Sequence, residues 1–508
     1  MLLLPVEVYH PGDKPPYHVY EAVQIFHDVL PEPVFVPHAR ELSLVFSNCA
    51  GKAENEKTDS ENADIHRERI LSEEEISAQL PAGGISACGG YLERDPDKWQ
   101  KRQIYQAISR FTGYTSPWGC MTGIRPAKIV NRLLEAGLKR QEVAAHLKDF
   151  YLCREDKCRL AIETAVLQAP FLAEQRRHPE HVGVYVGIPF CPSRCLYCSF
   201  PSHSIQKYGK SVEPYLNLLE QELAAAAALL DEKGLAVESL YLGGGTPTAL
   251  NEVQFARYME MLRNVFARHF TSGTLREFSL EAGRPDSITR KKLRAAKETG
   301  VNRISINPQT MQDATLLLIG RQHTAKDIRR AYAMAREEGF SNINMDLIAG
   351  LPGETADDFR QTLTEIGRMG PEAVTVHTLS IKRAAILKYD EKRNLLTSGQ
   401  VGEMVSDASR FAADWGMRPF YMYRQKHMLG NHENVAYCRS GCESLYNIHI
   451  MEEDQTILAA GAGGVSKAVF HENGQTRIER AFNVKSVEDY LARMPEMIAR
   501  KRRLLDSI

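Results

Sequence analysis

From about residue 176 to 385 the chain alternates short apolar runs with amphipathic stretches. The apolar runs fall at 182–188, 237–242, 276–281, 302–306, 342–348 and 373–378, and each predicts a buried strand. Between them, Val212 to Lys233, with its Ala224–Ala228 run, and Lys326 to Gly339 carry helical periodicity. Strand and helix in alternation predict a parallel sheet with helical crossovers, an α/β fold. Six such units, where a closed barrel has eight, predict an open or partial (β/α)6 barrel. In sheets of this kind the chemistry gathers where the strands end at their carboxyl edges.

The flanks read differently. Residues 1–175 predict an amino-terminal accessory α+β region, with strands between Val34 and Val45 and a helix from Pro96 to Phe111. From Gly51 to roughly Ser77 the chain turns polar and acidic, which predicts a mobile excursion rather than a core element. In TGIRPAKIV, Gly123 supplies a turn and Pro126 suits the first turn of a helix. Arg125 there is a candidate for holding an anion or a carboxylate of the neighbouring region; a solvated arginine is the plainer reading. Residues 386–508 predict a smaller carboxy-terminal α+β region, with a helix near Val401 to Trp415, a strand in RPFYMY, and a strand, glycine turn and strand in ILAAGAGGVSKAVF.

Composition narrows the class. Over 508 residues the formal net charge is −1, which offers no field for nucleic acid or an acidic membrane. The basic run Arg500 to Arg503 reads as the solvated face of a last helix. The first residues lack the basic start and long apolar run of a signal peptide, and nothing has the length of a membrane-spanning helix, so a cytoplasmic protein is expected. Ten cysteines in such a chain predict reduced thiols rather than disulfides, with the pairs Cys153/Cys158 and Cys438/Cys442 as bystanders.

One stretch changes the picture. In VGVYVGIPFCPSRCLYCSF a short strand is ended by Pro189 and followed by Cys191, Cys195 and Cys198, a C-x3-C-x2-C spacing. Three thiolates on one loop suit a soft metal centre. Structural zinc wants a fourth ligand, which does not follow at short range; an iron–sulfur cluster with one iron free of protein ligands fits better. Other unusual residues sit at the ends of later strands. Gly243-Gly244-Gly245-Thr246-Pro247 follows the second, where bare backbone permits close approach and exposed amides can receive a carboxylate. Glu281 ends the third, placed to accept from ribose hydroxyls, with a salt bridge to Arg276 or Arg284 as the alternative. Gln309 and Arg321 follow the fourth and Asp346 lies in the fifth, a trio able to hold a zwitterion or a carboxylate-bearing ligand.

At these residues the sequence resembles the radical S-adenosylmethionine (SAM) superfamily, whose signature is C-x3-C-x2-C. More narrowly, Tyr185, Ile188-Pro189-Phe190 and Tyr197 resemble the oxygen-independent coproporphyrinogen III oxidase family. TGIRP and YRQKHMLGNHENVAY resemble its branch of HemZ-type coproporphyrinogen dehydrogenases. The resemblance implies a radical SAM barrel, a [4Fe–4S] cluster on Cys191, Cys195 and Cys198, and SAM on the open iron. It places Tyr185, Gly244, Gly245, Thr246 and Glu281 at that SAM, and Gln309, Arg321, Asp346 and Tyr197 around a second SAM position. Ser380 and Val465 would touch the first SAM, with Gly461, Gly463 and Ser466 forming a turn over it. The implied reaction is oxidative decarboxylation of coproporphyrinogen III propionates to vinyl groups by a 5′-deoxyadenosyl radical, a step of haem biosynthesis. Its partners would be a tetrapyrrole substrate and a low-potential electron donor such as flavodoxin or ferredoxin.

Gly187, where many relatives have histidine, and Gly464, where alanine is commoner, depart from the family pattern. The long amino-terminal region replaces the short arm of the better-understood oxidases. Two other readings stay open: a haem-binding chaperone of the same family, and a radical methyltransferase acting on a tetrapyrrole. Substrate propionates would call on Arg125, Arg321, Lys382, Arg383 or Arg424, while His427, His432 and His449 read as surface histidines.

Overall fold

The computed structural model describes residues 6–10, 13–26, 33–37, 39, 41–48, 64–72, 75, 86–87, 91–92, 95–199, 203–380, 396–425, 428–472 and 475–506. Lys382, Arg383, His427 and most of the polar stretch after Gly51 lie outside them. The chain forms two compact units, one of residues 1–165 with 424–432, the other of 166–423 with 433–508.

The first unit carries a four-stranded sheet of β1 (Glu7–Tyr9), β2 (Val34–Val36), β3 (Ser43–Asn48) and β4 (Asp64–Arg69), in the order β2-β1-β3-β4. Two-residue strands β5 (Ser86–Ala87) and β6 (Tyr91–Leu92) pair separately. β4 corrects the expectation for 51–77. Its polar sequence DIHRER pairs antiparallel with β3 along six residues; ladder bonds are made by backbone, so a polar edge strand leaves little trace in composition. Helix Pro96–Thr112 starts on an Asp95 cap and ends at Gly113 (φ +70°). Helix Pro126–Glu135 follows with Arg125 at its N-cap. Phe26, Ile104, Ile108, Trp118, Leu147 and Phe150 make the core.

The second unit is organised by an eleven-stranded sheet. β7 (His181–Ile188), β10 (Ala236–Gly244), β11 (Glu277–Glu281), β12 (Arg303–Ser305), β13 (Ile343–Ala349) and β14 (Ala373–Thr378) run parallel in that order. β8 (Phe190–Cys191) and β9 (His203–Ser204) form a small separate pair. Beyond β14 lie the antiparallel β16 (Asn434–Cys438) and then β15 (Arg418–Tyr423). Beyond β7 come β17 (Ile457–Ala460), parallel to it, then β18 (Val465–Glu472) and β19 (Gln475–Phe482). The sheet does not close, because both flanks of the six-strand run are taken by carboxy-terminal strands. The parallel strands read as apolar runs since helices cover one face and side chains the other. Their helices begin on reciprocal capping boxes, as at Thr324/Asp327 and Thr355/Asp358.

In the last helix, Val487–Asp506, Arg502 and Arg503 of the basic run are exposed as expected and Arg500 is half-buried, but Lys501 is not solvated. Lys501 is 1% exposed and its ammonium contacts the Glu222 carboxylate, which is 0% exposed. Tyr490 Oη (2.5 Å), Asn483 Nδ2 (2.8 Å) and the Gly461 amide (2.8 Å) donate to the same carboxylate. Lys501→Met should therefore cost about 3–5 kcal/mol, because it leaves a buried carboxylate without its counter-charge. The double variant Glu222→Leu/Lys501→Met should recover at least half of that loss in urea denaturation. Equal destabilisation of both would show that packing, not charge pairing, holds the helix.

Candidate functional site

β7 ends at Ile188, and Pro189, without an N–H, releases the chain into the cysteine loop. Phe190–Cys191 pairs with His203–Ser204, and the loop folds on itself through Cys198 N to Cys195 O at 3.2 Å. Cys195 is buried, while Cys191 and Cys198 are half-buried. Burial pushes the Cys191 thiol up to about 11, against a hydrogen-bonding contact with Thr246 Oγ1 at 3.5 Å. Gly245 allows this approach, since a Cβ there would lie 2.6 Å from Phe190 O and 3.0 Å from Cys191 Sγ.

Arg284 was not legible as part of this loop. Its Nη1 donates to Cys195 Sγ (3.4 Å) and its Nη2 to Ser193 Oγ (3.2 Å). Asp286 orients it by a two-point contact at 2.9 and 2.8 Å. Burial pushes the Asp286 carboxyl up, but His323 and Arg284 outweigh it and hold it far below the usual range. Sulfur ligands bearing negative charge would thus meet a fixed guanidinium. Among the described residues, the group whose ligand atoms all lie within 4.8 Å of one another is His178, Glu180 and His181, not the three thiols. A soft donor set, spread wider than one ion needs and beside a cation, fits an iron–sulfur cluster.

Next to the loop stands an acidic and aromatic wall. Glu281 ends β11 and accepts from Tyr241 Oη at 2.7 Å. The Tyr241 and Tyr446 rings stack at 4.4 Å, with Tyr185 beside both at 6.2 and 6.1 Å. Burial pushes the Glu281 carboxyl up to about 7; Tyr241 opposes that shift and nearby Asp346 adds to it. Neither alternative partner reaches Glu281. Arg276 is bound to Glu238 (2.9 Å) and Arg284 to Asp286. The glycine loop corrects the expectation of open amides: Gly245 N and Thr246 N donate to Ile188 O (2.7 Å) and Phe190 O (2.8 Å). The sheet register simply continues past the strand end, so the glycines give close approach rather than free donors.

Gln309, Arg321 and Asp346 come together around the same mouth. Gln309 N donates to Asp346 O at 2.9 Å, and Gln309 adopts φ +71°, a strained conformation for a residue with a side chain. Arg321, 5% exposed, donates through Nη2 to Tyr197 Oη (3.2 Å) and through Nη1 to Asn307 O. Among the described residues, three enclosed atoms here have no protein partner: Gln309 Oε1, Arg321 Nε and Asn307 Oδ1. Buried polar atoms left open in this way are places where a water or a ligand atom would complete the bonding. Burial pushes the Asp346 carboxyl up, but His377 (3.8 Å) and Asn344 Nδ2 (2.7 Å) outweigh it, so it lies below its ordinary value. His377, Tyr241 and Tyr446 escaped the sequence reading; the first two sit in regular strands, and Tyr446 arrives from a distant helix.

Ser380 lies two residues beyond β14. Val465 is exposed (38%) at the start of β18, and the turn before it is pinned by Ser466 Oγ on Ala459 N (3.0 Å). Arg424 belongs to the first unit and is spent there, donating to Met121 O and stacking over Trp118 at 5.6 Å. His432 and His449 are buried, correcting the surface reading; His449 Nδ1 lies 3.0 Å from Asp454.

Residues 185–366 match the Radical SAM superfamily. The chain is 40% identical over 403 residues to the oxygen-independent coproporphyrinogen-III oxidase-like protein HemZ of Bacillus subtilis, covering 79% of each chain. It is 32% identical over 317 residues to the heme chaperone HemW of the same species, covering 62% of this chain and 76% of that one. Among solved structures it resembles the coproporphyrinogen III oxidase HemN of Escherichia coli, a radical SAM enzyme, with TM-score 0.51, 26% identity and coverage of 66% of this chain and 73% of that one. The fold and the three-cysteine loop thus define a radical SAM protein, whose family cofactors are a [4Fe–4S] cluster and SAM. Within that superfamily the chain belongs to the family of oxygen-independent coproporphyrinogen III oxidases and their HemZ-type relatives. No described helix is long and apolar enough to cross a membrane.

Glu281 also makes a stability prediction. Its folded value lies above the unfolded one, so between about pH 4.5 and 7 the folded state holds a proton that the unfolded chain has lost. Stability should fall as pH rises through that window. Glu354, likewise pushed up to about 7 by burial, acts in the same sense. Melting temperatures from pH 5 to 8 should therefore decline less steeply for Glu281→Gln than for the parent. Identical slopes would mean that Glu281 ionises normally.

Proposed function

We propose that this chain is an oxygen-independent coproporphyrinogen III dehydrogenase, converting substrate propionates to vinyl groups. The observation that carries the reading is the open polar set of Gln309, Arg321 and Asn307 beside the cysteine loop, at one mouth with Glu281 and Asp346. In this reading Cys191, Cys195 and Cys198 hold the cluster, and Arg284 steadies Cys195. Tyr185, Gly244, Gly245, Thr246 and Glu281 hold SAM, with Ser380 and Val465 completing that site. Arg321, Gln309 and Asp346 with Tyr197 hold a carboxylate-bearing ligand, either a second SAM or a propionate.

Once bound, cluster and SAM supply the one-electron chemistry that removes a hydrogen atom from the β-carbon of a propionate. Carbon dioxide then leaves, one further electron passes to an acceptor, and a vinyl group remains. The protein's share is placement and shelter. Arg321 offers a guanidinium fork to a carboxylate, the stacked tyrosines exclude water, and strained Gln309 is set to donate or accept without reorganising. A low-potential donor such as flavodoxin or ferredoxin would supply the first electron.

Replacing Cys191, Cys195 or Cys198 by alanine should remove the cluster, while Cys153→Ala and Cys438→Ala should keep it. Iron and sulfide analysis after anaerobic reconstitution reads this directly, and a triple variant with a full cluster would overturn the assignment.

A second experiment separates the two halves of the mouth. Glu281→Ala should weaken SAM binding about ten- to a hundred-fold, the loss expected for a buried hydrogen-bonding partner, and suppress 5′-deoxyadenosine. Arg321→Met and Asp346→Ala should still yield deoxyadenosine while tetrapyrrole product falls at least about thirty-fold, as when a buried charge loses its partner. Mass spectrometry of one anaerobic reaction with coproporphyrinogen III measures both. Stable haem binding without decarboxylation would favour a chaperone, and a heavier tetrapyrrole with S-adenosylhomocysteine a methyltransferase.

A further inference from the structure

At the other end of the parallel strands, away from the cysteine loop, lies a cavity of about 680 Å³. That is within the usual size of small-molecule sites. Residues at strand starts line it: Arg303 opens β12, Arg418 opens β15, and Asn342 directly precedes β13. Leu167 and Phe171, from helix Glu155–Arg177, form an apolar wall.

Arg303 is the anomaly. It is 3% exposed, and its Nη1 is enclosed without a hydrogen-bond partner among the described residues. Among the described residues no carboxylate oxygen approaches its guanidinium within 4.0 Å, and the cavity lining also carries Arg418 and the carboxylate of Glu443. Arg276 is bound to Glu238 at 2.9 Å, and Glu277 accepts from Ser279 Oγ (2.6 Å), Ser444 Oγ (2.9 Å) and Tyr446 N (3.3 Å). Arginine cannot escape burial by losing its proton, so its open Nη1 calls for an acceptor oxygen, which an anion would supply. Acceptors share the cavity lining. Among the described residues Asn342 Oδ1 is enclosed without a partner, and Pro170, inside the covering helix, cannot donate to the carbonyl of Val166.

We propose that this cavity binds an organic anion with an apolar body, a carboxylate or a phosphate monoester, whose oxygens take the Arg303 guanidinium and whose body lies on Leu167 and Phe171. The site is separate from the mouth that holds Glu281 and Arg321, since the strands place the two at opposite ends. Two-point contact explains arginine rather than lysine, because only the planar fork matches two oxygens of one group.

The test uses the full chain with hexanoate, phenyl phosphate and inorganic phosphate as probes, against chloride at matched ionic strength. Hexanoate or phenyl phosphate should bind one to one by calorimetry and raise the melting temperature as a ligand of the folded state does. The probe that acts at the lower concentration distinguishes carboxylate from phosphate. Arg303→Lys should weaken binding at least ten-fold and Arg303→Met should abolish it. Without probe, Arg303→Met should melt no lower than the parent, having shed an unpaired buried charge. Leu167→Trp, which fills the cavity and keeps the guanidinium, should also abolish binding, whereas Arg321→Met at the other end should retain it. No response beyond chloride would mean that water alone occupies the cavity and would overturn the proposal. So would a response that survives both Arg303→Met and Leu167→Trp, or one lost with Arg321→Met.

Discussion

The buried carboxylate of Glu222 holds together segments that are far apart in the chain. It sits on helix Val212–Glu232 and receives the Gly461 amide, Asn483, Tyr490 and Lys501. These bonds draw the turn after β17 and the last helix onto one point. The turn in turn presses on the end of β7: a Cβ at Gly461 would lie 2.4 Å from Gly187 O, and Tyr215 Oη donates to that same oxygen at 2.7 Å. Gly187 stands four residues before Cys191, so the turn tied to this charge pair abuts the strand that leads into the cysteine loop. A buried pair of this kind contributes little net stability, since desolvation offsets attraction. What it contributes here is a single arrangement, because any other leaves an ion uncompensated.

The parallel sheet then separates two environments. At its carboxyl ends the mouth gathers two carboxylates whose surroundings drive them apart, Glu281 up through burial and Asp346 down through His377 and Asn344. One can exchange a proton near neutrality while the other stays ionised, a division set by neighbours rather than by residue type. At the amino ends a buried arginine keeps one nitrogen without a hydrogen-bond partner among the described residues. Strands only three to nine residues long connect these ends, so both sites share the same rigid backbone.

Legibility followed the range of the interaction. The six parallel strands were readable within two residues of their observed limits, because burial on both faces writes an apolar run into each. The cysteine loop was readable because its three thiols lie within eight residues. Glu281, Gln309, Arg321 and Asp346 were readable as a group because strand ends in a parallel sheet must converge. Polar β4 was missed, since its pairing lies in the backbone. Lys501 was missed, since its partner is 279 residues away.

By itself, then, the sequence determined the alternating α/β architecture, the soft-ligand loop and the edge of the sheet on which chemistry sits, all consequences of local periodicity and spacing. Tertiary structure alone decided which groups attend them. Arg284 meets Cys195 from 89 residues away, Tyr446 arrives from the carboxy-terminal region to stack on Tyr241, and the amides of Gly245 and Thr246 are consumed by the carbonyls of Ile188 and Phe190. It also decided that Arg303 Nη1 is enclosed without a hydrogen-bond partner among the described residues. Each depends on distances between segments remote in the chain, which a pattern of residue types does not encode.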